Sequence, residues 1–181
     1  LPDAQLHIYG AYPSQKVWNL HNKAERFLVH GRTENAPKVM SNARVCLAPI
    51  EFGAGLKGKL AEAMACGTPS VTTSIGSEGM AGDLDWNGFI EDDAVQFVEA
   101  AKILYTNEQL WNKKNEQGYQ ILKERFDQDL HQARFDRKLT FILKQLSQHR
   151  KENFTGLMMK HHLQRSTYFM SKFIQLKNSI N

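Results

Sequence analysis

The segment from Ala48 to Thr73 constrains this chain more than any other, because a strand end, a glycine-rich loop, a helix, a hard stop and a second strand follow one another in it. Gly53, Gly55 and Gly58, with Lys57 and Lys59, lie between the apolar run Arg44-Val45-Cys46-Leu47-Ala48 and the helical pattern Leu60-Ala61-Glu62-Ala63-Met64-Ala65. Gly67 and Pro69 end that helix, and Ser70-Val71-Thr72-Thr73 restarts an extended chain. Glycines turn tightly because no Cβ is in the way, and the free N–H groups of a helix start carry about half a positive charge. A loop of this kind is built for an anion, and a phosphate is the expected guest.

The flanks repeat the same alternation. Strand Gln5 to Tyr9, helix Gln15 to Asn22, strand Arg26 to Val29, helix Ala36 to Ser41, strand Arg44 to Ala48, helix Lys57 to Cys66 and strand Ser70 to Thr73 read as successive β-α units. The fold class is therefore α/β: a Rossmann-like parallel sheet with helices on both faces, followed by C-terminal helices. Ligands of such sheets bind beyond the carboxyl ends of the strands, so the Gly53 loop and the turn at Gly76 should face one pocket. From Asp92 onward helical spacing dominates, in Ala94, Phe97, Val98, Ala101, Ile103 and Leu104 and then over Glu108 to Arg125 and Gln128 to Ser147. These stretches are expected to pack on the sheet.

Three motifs compete for the loop. Gly53-x-x-x-x-Gly58-Lys59 matches the phosphate loop of nucleoside triphosphatases, but the next residue, which should be a magnesium-binding hydroxyl, is Leu60. Gly53-x-Gly55-x-x-Gly58 fits a dinucleotide fingerprint, with Glu78 about twenty residues on as the ribose acid. Against it, Pro49 to Phe52 separate the first glycine from the strand, and the strand Ser70 to Thr73 ends without an acid.

The third motif accounts for more residues. The run Pro49 to Pro69, continued by Ser70-Val71-Thr72-Thr73-Ser74-Ile75-Gly76-Ser77-Glu78-Gly79, resembles the C-terminal, nucleotide-sugar-binding half of retaining GT-B-fold glycosyltransferases of the family-four (group 1) type. The likeness takes in Leu6-His7-Ile8-Tyr9-Gly10, Phe27-Leu28-Val29-His30-Gly31 and Trp86-Asn87-Gly88-Phe89-Ile90, and covers roughly residues 5 to 145. It implies a donor-binding set of Gly53, Ala54, Gly55, Leu56, Lys57, Glu62, Gly76, Glu78 and Arg32. Within it Glu62 meets the ribose hydroxyls, Lys57 the diphosphate, Glu78 the sugar and Arg32 the base. Many members carry a further glutamate eight positions before the one matched by Glu62, and here that position is Ala54, so this sugar contact is absent unless Glu51 supplies it. The resemblance implies no cofactor and no metal, with the nucleoside diphosphate sugar as donor substrate. No catalytic residue is assigned in this chain.

Bland readings stand beside these. Glu62 also suits a helix N-terminus as a favourable charge, Lys59 points to solvent, Arg32 is equally a surface arginine, and Glu78 equally caps a turn. Trp18, Trp86 and Trp111 read as packing residues. Cys46 and Cys66 fit reduced interior positions better than a disulfide framework, and the seven histidines lack partners at metal-ligand spacing. Asn153-Phe154-Thr155 is formally a glycosylation acceptor, taken as coincidence.

With 181 residues, 41% of them hydrophobic, the chain can bury a real core. The start Leu1-Pro2-Asp3, with a strand close behind, is read as that of a fragment lacking an opening strand and an N-terminal acceptor domain. The domains are expected at 1–147, the donor-binding domain, and 148–181, a basic amphipathic helical tail. From Arg137 onward nine Lys or Arg face Glu152 alone, a surplus of eight within a total of +4, which leaves residues 1–136 with a deficit of four. Phe169, Phe173, Leu176 and Ile180 recur at helical spacing in this tail. Its partner is the missing acceptor domain, an anionic membrane surface, a second copy of the chain or solvent alone, whereas nucleic acid finds no recognisable module. A cytoplasmic location follows from the resemblance, with peripheral attachment to the inner membrane face if the tail meets lipid.

The function expected is the donor-binding half of a hexosyltransferase that acts with retention on an unknown acceptor, the chain alone being inactive. Polysaccharide biosynthesis is the pathway common in this family. Alternatives are a nucleotide-sugar epimerase built from the same GT-B halves, and a non-catalytic nucleotide-binding scaffold, to which Ala54 points.

Overall fold

Strands β1 (Leu6–Tyr9) and β2 (Phe27–Gly31) form one parallel ladder, and β3 (Cys46–Ala48), β4 (Ser70–Thr72) and β5 (Gly88–Ile90) form a second, in the order β3-β4-β5. The computed structural model describes residue 1 and residues 3–179, and the side chains of all of these but 162–164 and 178. Ile180, the last position of the tail stripe, lies outside the described residues. The chain divides into two compact units, Leu1–Asp127 and Gln128–Asn181.

The first unit follows the β-α alternation. Helices α1 (Gln15–Trp18), α2 (Ala36–Ser41), α3 (Gly58–Ala65) and α4 (Ser74–Ser77) lie between the strands, and α5 (Ala94–Thr106) and α6 (Glu108–Arg125) close the unit. The single sheet expected from the sequence is instead two ladders, with no pairing between β1 and β3. The edge of β1 away from β2 and the edge of β3 away from β4 are both left without a strand partner. Leu6 donates its N–H to Arg26 and Cys46 to Pro69, both towards the inner partner strand, so the amides of His7, Tyr9 and Leu47 point to the opposite edges. Leu47 is 40% exposed between the buried Cys46 and Ala48, whose side chains point to the other face of the ladder.

Two apolar clusters clothe β3-β4-β5. Ala48, Leu60, Met64, Met80, Trp86 and Ile121 lie together in one, joining β3, α3 and α6. Val71, Ala100 and Leu104 form the other, with Phe89, Phe97 and Trp111 packed against them. Since Ala48 pairs with Thr72 in the ladder, Val71 faces the opposite side, and helices cover both faces as an α/β fold requires. The buried polar groups of β4 are satisfied: Ser70 Oγ meets Asn87 Oδ1 at 2.9 Å and Thr72 Oγ1 donates to Ala48 O at 2.9 Å.

The second unit consists of α7 (Gln128–Lys144), α8 (Leu146–Glu152) and α9 (Phe154–Ser179). The single helix expected over Gln128 to Ser147 is interrupted at Gln145, whose φ of −119° and ψ of 27° leave the helical region. The boundary expected between 147 and 148 lies within this second unit. Asn153 serves as an N-cap, its Oδ1 accepting from Gly156 N–H at 2.9 Å, which explains an asparagine there without glycosylation.

Candidate functional site

The site residues with the most context lie between β3 and α3. Leu60, Ala63 and Met64 recur at i, i+3 and i+4 and are fully buried, which fixes the face that α3 presents to the core. Gly67 terminates it in a Schellman arrangement: with φ of +70° it donates its N–H to Met64 O, and Thr68 donates to Ala63 O. A Cβ at Gly67 would stand 2.6 Å from the Tyr119 hydroxyl and would displace it, and the φ of +70° itself favours glycine. The helix is thereby held at its C-terminus and its N-terminus is left at the mouth of the loop.

In that loop Gly53, Ala54, Gly55 and Leu56 are exposed, while Lys57 is only 8% exposed. Its side chain folds back over the loop, so that a Cβ on Gly53 would lie 3.7 Å from Lys57 Cε. Lys57 Nζ donates to Gly55 O at 2.8 Å, and Gly55 has a φ of +69° that suits glycine. Among the described residues no carboxylate pairs with this ammonium, although buried cations are ordinarily paired. Glu62, half-buried one turn into α3, likewise has no ionic partner among them. Lys57, the N-cap of α3, and Glu62 within it are therefore two charges that have not neutralised each other among the described residues.

The turn after β4 is tied to this loop. Thr73 Oγ1 donates to Ile50 O and accepts from Gly76 N–H at 3.1 Å, joining the two loops through one hydroxyl. Gly76 is buried, and a Cβ there would overlap Thr72 Oγ1 at 1.9 Å. Asp92, beyond the end of β5, accepts from Ser74 N–H at 2.8 Å and from its hydroxyl at 3.0 Å. Neither Thr73 nor Asp92 was singled out in the sequence. The Thr-Ser pair opening a short helix is a legible capping signal for the first, but no local pattern links Asp92 to a turn eighteen residues before it. Glu78 sits exposed at the C-cap of α4, and Arg32 is exposed just beyond β2, in the other ladder, where no described contact joins it to the loop.

Leu60 is wholly buried in the core, so the position that holds magnesium in a triphosphatase loop is here a packing residue. Of the histidines, His7 and His30 lie stacked with their ring nitrogens 2.9 Å apart, and His21 Nδ1 accepts from Val29 N–H at 3.1 Å. Trp111 packs as expected, its indole N–H donating to Arg44 O at 2.6 Å.

The two thiols differ in environment. Burial pushes the Cys46 thiol up to about 11, with Lys59 opposing weakly, whereas Cys66 is half-buried and its Sγ lies 3.5 Å from Pro37 O. At pH 8 the buried Cys46 therefore stays a thiol. Iodoacetamide at that pH is expected to modify Cys66 and spare Cys46 in the folded chain, and to modify both after denaturation. Mass spectrometry of tryptic peptides checks this, and equal labelling of the two in the native state would contradict the burial of β3.

Comparison with known proteins places this geometry in a family. A family model described as glycosyl transferases, group 1, matches residues 1–107. Among solved structures, the crystal structure of TarM matches with a TM-score of 0.60 and 17% identity, over 72% of this chain. The chain spans 28% of the length of TarM. That likeness shows the fold, one Rossmann-like half of the GT-B architecture. Comparison with curated protein sequences gives no match.

Proposed function

The chain belongs to the group 1 glycosyltransferases, and on that ground we propose that it is the donor-binding half of an enzyme that transfers a hexose from a nucleoside diphosphate sugar to an acceptor with retention at the anomeric carbon. The observation that carries this reading is Lys57, a nearly buried cation folded into a glycine loop at the N-terminus of α3. A diphosphate would take Nζ from Gly55 O, exchanging a neutral acceptor for a charged one. The amides of Gly58 and Lys59, which open α3 ahead of its first backbone bonds, would add to this contact. Glu62, unpaired among the described residues, is left to accept from ribose hydroxyls.

As the bond to the sugar breaks, negative charge grows on the leaving phosphate. Lys57 and the amide dipoles would already be oriented toward it, which is electrostatic stabilisation without proton transfer. This arrangement supplies its positive charge from the chain itself and calls for no metal. The acceptor wall would come from an N-terminal domain. The two open strand edges support a further parallel strand between β1 and β3, since the doubly wound order 3-2-1-4-5-6 has its central strand at that place.

Titration with UDP, GDP, ADP, UDP-glucose, GDP-mannose and NAD, with and without EDTA, tests the reading against a Glu62→Ala variant, followed by tryptophan fluorescence. Saturable binding of one nucleoside diphosphate, indifferent to EDTA and lost in the variant, is the expected outcome. Binding of NAD alone would turn the loop into a dinucleotide site instead. A scaffold reading is favoured by one observation, Ala54 in place of the usual acid, and it predicts donor binding by an intact protein that never turns the donor over.

A further inference from the structure

The second unit combines three properties that do not ordinarily occur together in a free surface. Every described residue of it is exposed except Ile142, Leu146 and Gly156, which are half-buried. Ten Lys or Arg face only Asp129, Asp136 and Glu152, a surplus of seven, and none of these cations forms an ion pair among the described residues. Large apolar side chains nevertheless stand in solvent along the same helices, with Phe169 and Phe173 each 63% and Leu176 61% exposed.

The two kinds of side chain are ordered. On α9 Phe169, Phe173 and Leu176 follow at i, i+4 and i+7, so they form one stripe, and Arg165 and Lys172 lie along its border. Lys172 Nζ stands 5.8 Å from the centre of the Tyr168 ring, keeping its charge next to an aromatic face. Thr167, Ser171 and Gln175, again four apart, run along the opposite side together with Ile174. On α7 Arg134, Arg137, Lys138 and Phe141 occupy one side at helical spacing.

We propose that the unit Gln128–Asn181 is a membrane-surface anchor that lies on an anionic lipid leaflet, with the α9 stripe in the acyl boundary and the basic side of α7 against lipid phosphates. Charge favours this partner over a second copy and over nucleic acid. A second copy would bring a surplus of seven against a surplus of seven, and nucleic acid would satisfy the cations while leaving the phenylalanines in water. A leaflet of negative lipids satisfies both, as cations at the headgroups and aromatics just below them. No helix among the described residues is long and apolar enough to cross a membrane, so the contact is one of lying on the surface.

Co-sedimentation of the full chain with phosphatidylcholine vesicles, alone or containing about 30 mol% phosphatidylglycerol, tests the proposal. Partitioning is expected to be roughly a hundredfold stronger on the anionic vesicles and to fall steeply towards about 0.5 M salt. Charge reversal in Arg134→Glu/Arg137→Glu/Lys138→Glu should remove that preference. Phe169→Ser/Phe173→Ser should weaken binding about tenfold and leave its salt dependence in place. Far-UV circular dichroism confirms that each variant keeps its helices. Equal binding to both vesicle types would overturn the proposal, as would binding untouched by both variants. So would displacement from vesicles by an RNA homopolymer at equal phosphate, which would give the surface to nucleic acid, or a dimer in sedimentation velocity that Phe169→Ser/Phe173→Ser dissociates.

Discussion

Lys57→Met is expected to lower the affinity of this chain for its nucleoside diphosphate at least about tenfold while the unliganded protein stays as stable as before or becomes more so. The two halves of that result have one cause. The ammonium is nearly buried against the Gly55 carbonyl, with no carboxylate paired to it among the described residues. Exchanging it for a thioether of similar length removes a desolvated charge, and a large loss of stability has no source. On a bound diphosphate the same ammonium makes a charge-assisted hydrogen bond, of the order of 1.5 kcal/mol or more, which is the tenfold. Calorimetric titration gives the affinity and thermal unfolding the stability. An unchanged dissociation constant would remove Lys57 from the diphosphate site, and a sharp fall in melting temperature would mean that the lysine is structural.

The second large effect concerns the fold beneath the site. Gly88→Ala is expected to cost about 3 kcal/mol or more, a large share of the 5–15 kcal/mol that holds a typical domain together. A Cβ at this position would stand 1.8 Å from Ser70 O and 2.7 Å from Ser70 C. These are backbone atoms of β4 that no rotamer change can move, in a residue that is completely buried and bonded through its amide to Asn87 O. Relief requires parting β4 from β5, and with them the turn that Thr73 and Asp92 hold. Gly58→Ala is the matched control, since a Cβ there meets nothing within 4 Å. The expected difference is a melting temperature lower by about 10 °C or more for Gly88→Ala and unchanged for Gly58→Ala. Equal melting temperatures would show that β4 and β5 are not as close as the ladder requires.

How far these features can be read in the sequence depends on how local their causes are. Helix α3 and its stop were legible to within a residue or so at each end, because glycine, proline and the buried i, i+3, i+4 set all lie inside one short segment. The first helix was expected to reach Asn22 and ends at Trp18. Asn22 is drawn away, its side chain accepting from Ala24 and Glu25 and its backbone bridging to Phe27. Strand β5 was met only as part of a family likeness. Three residues carry no periodicity, and it is the pairing with Ser70, Val71 and Thr72 that makes Gly88, Phe89 and Ile90 a strand. The same holds for the site: the charges and glycines were visible, but the burial of Lys57 and the hydroxyl that links the two loops depend on the fold.

The helices α7 to α9 have almost nothing behind them, and this governs what a melting curve of the chain would mean. Heat absorbed on unfolding scales with surface that leaves a packed interior, and in residues 128–179 very little is packed. Helices in that condition open from their ends a few residues at a time and close again, without waiting for a neighbour to give way. The sharp transition would therefore belong to Leu1–Asp127 alone. A per-residue stability taken over all 181 positions would understate the α/β unit.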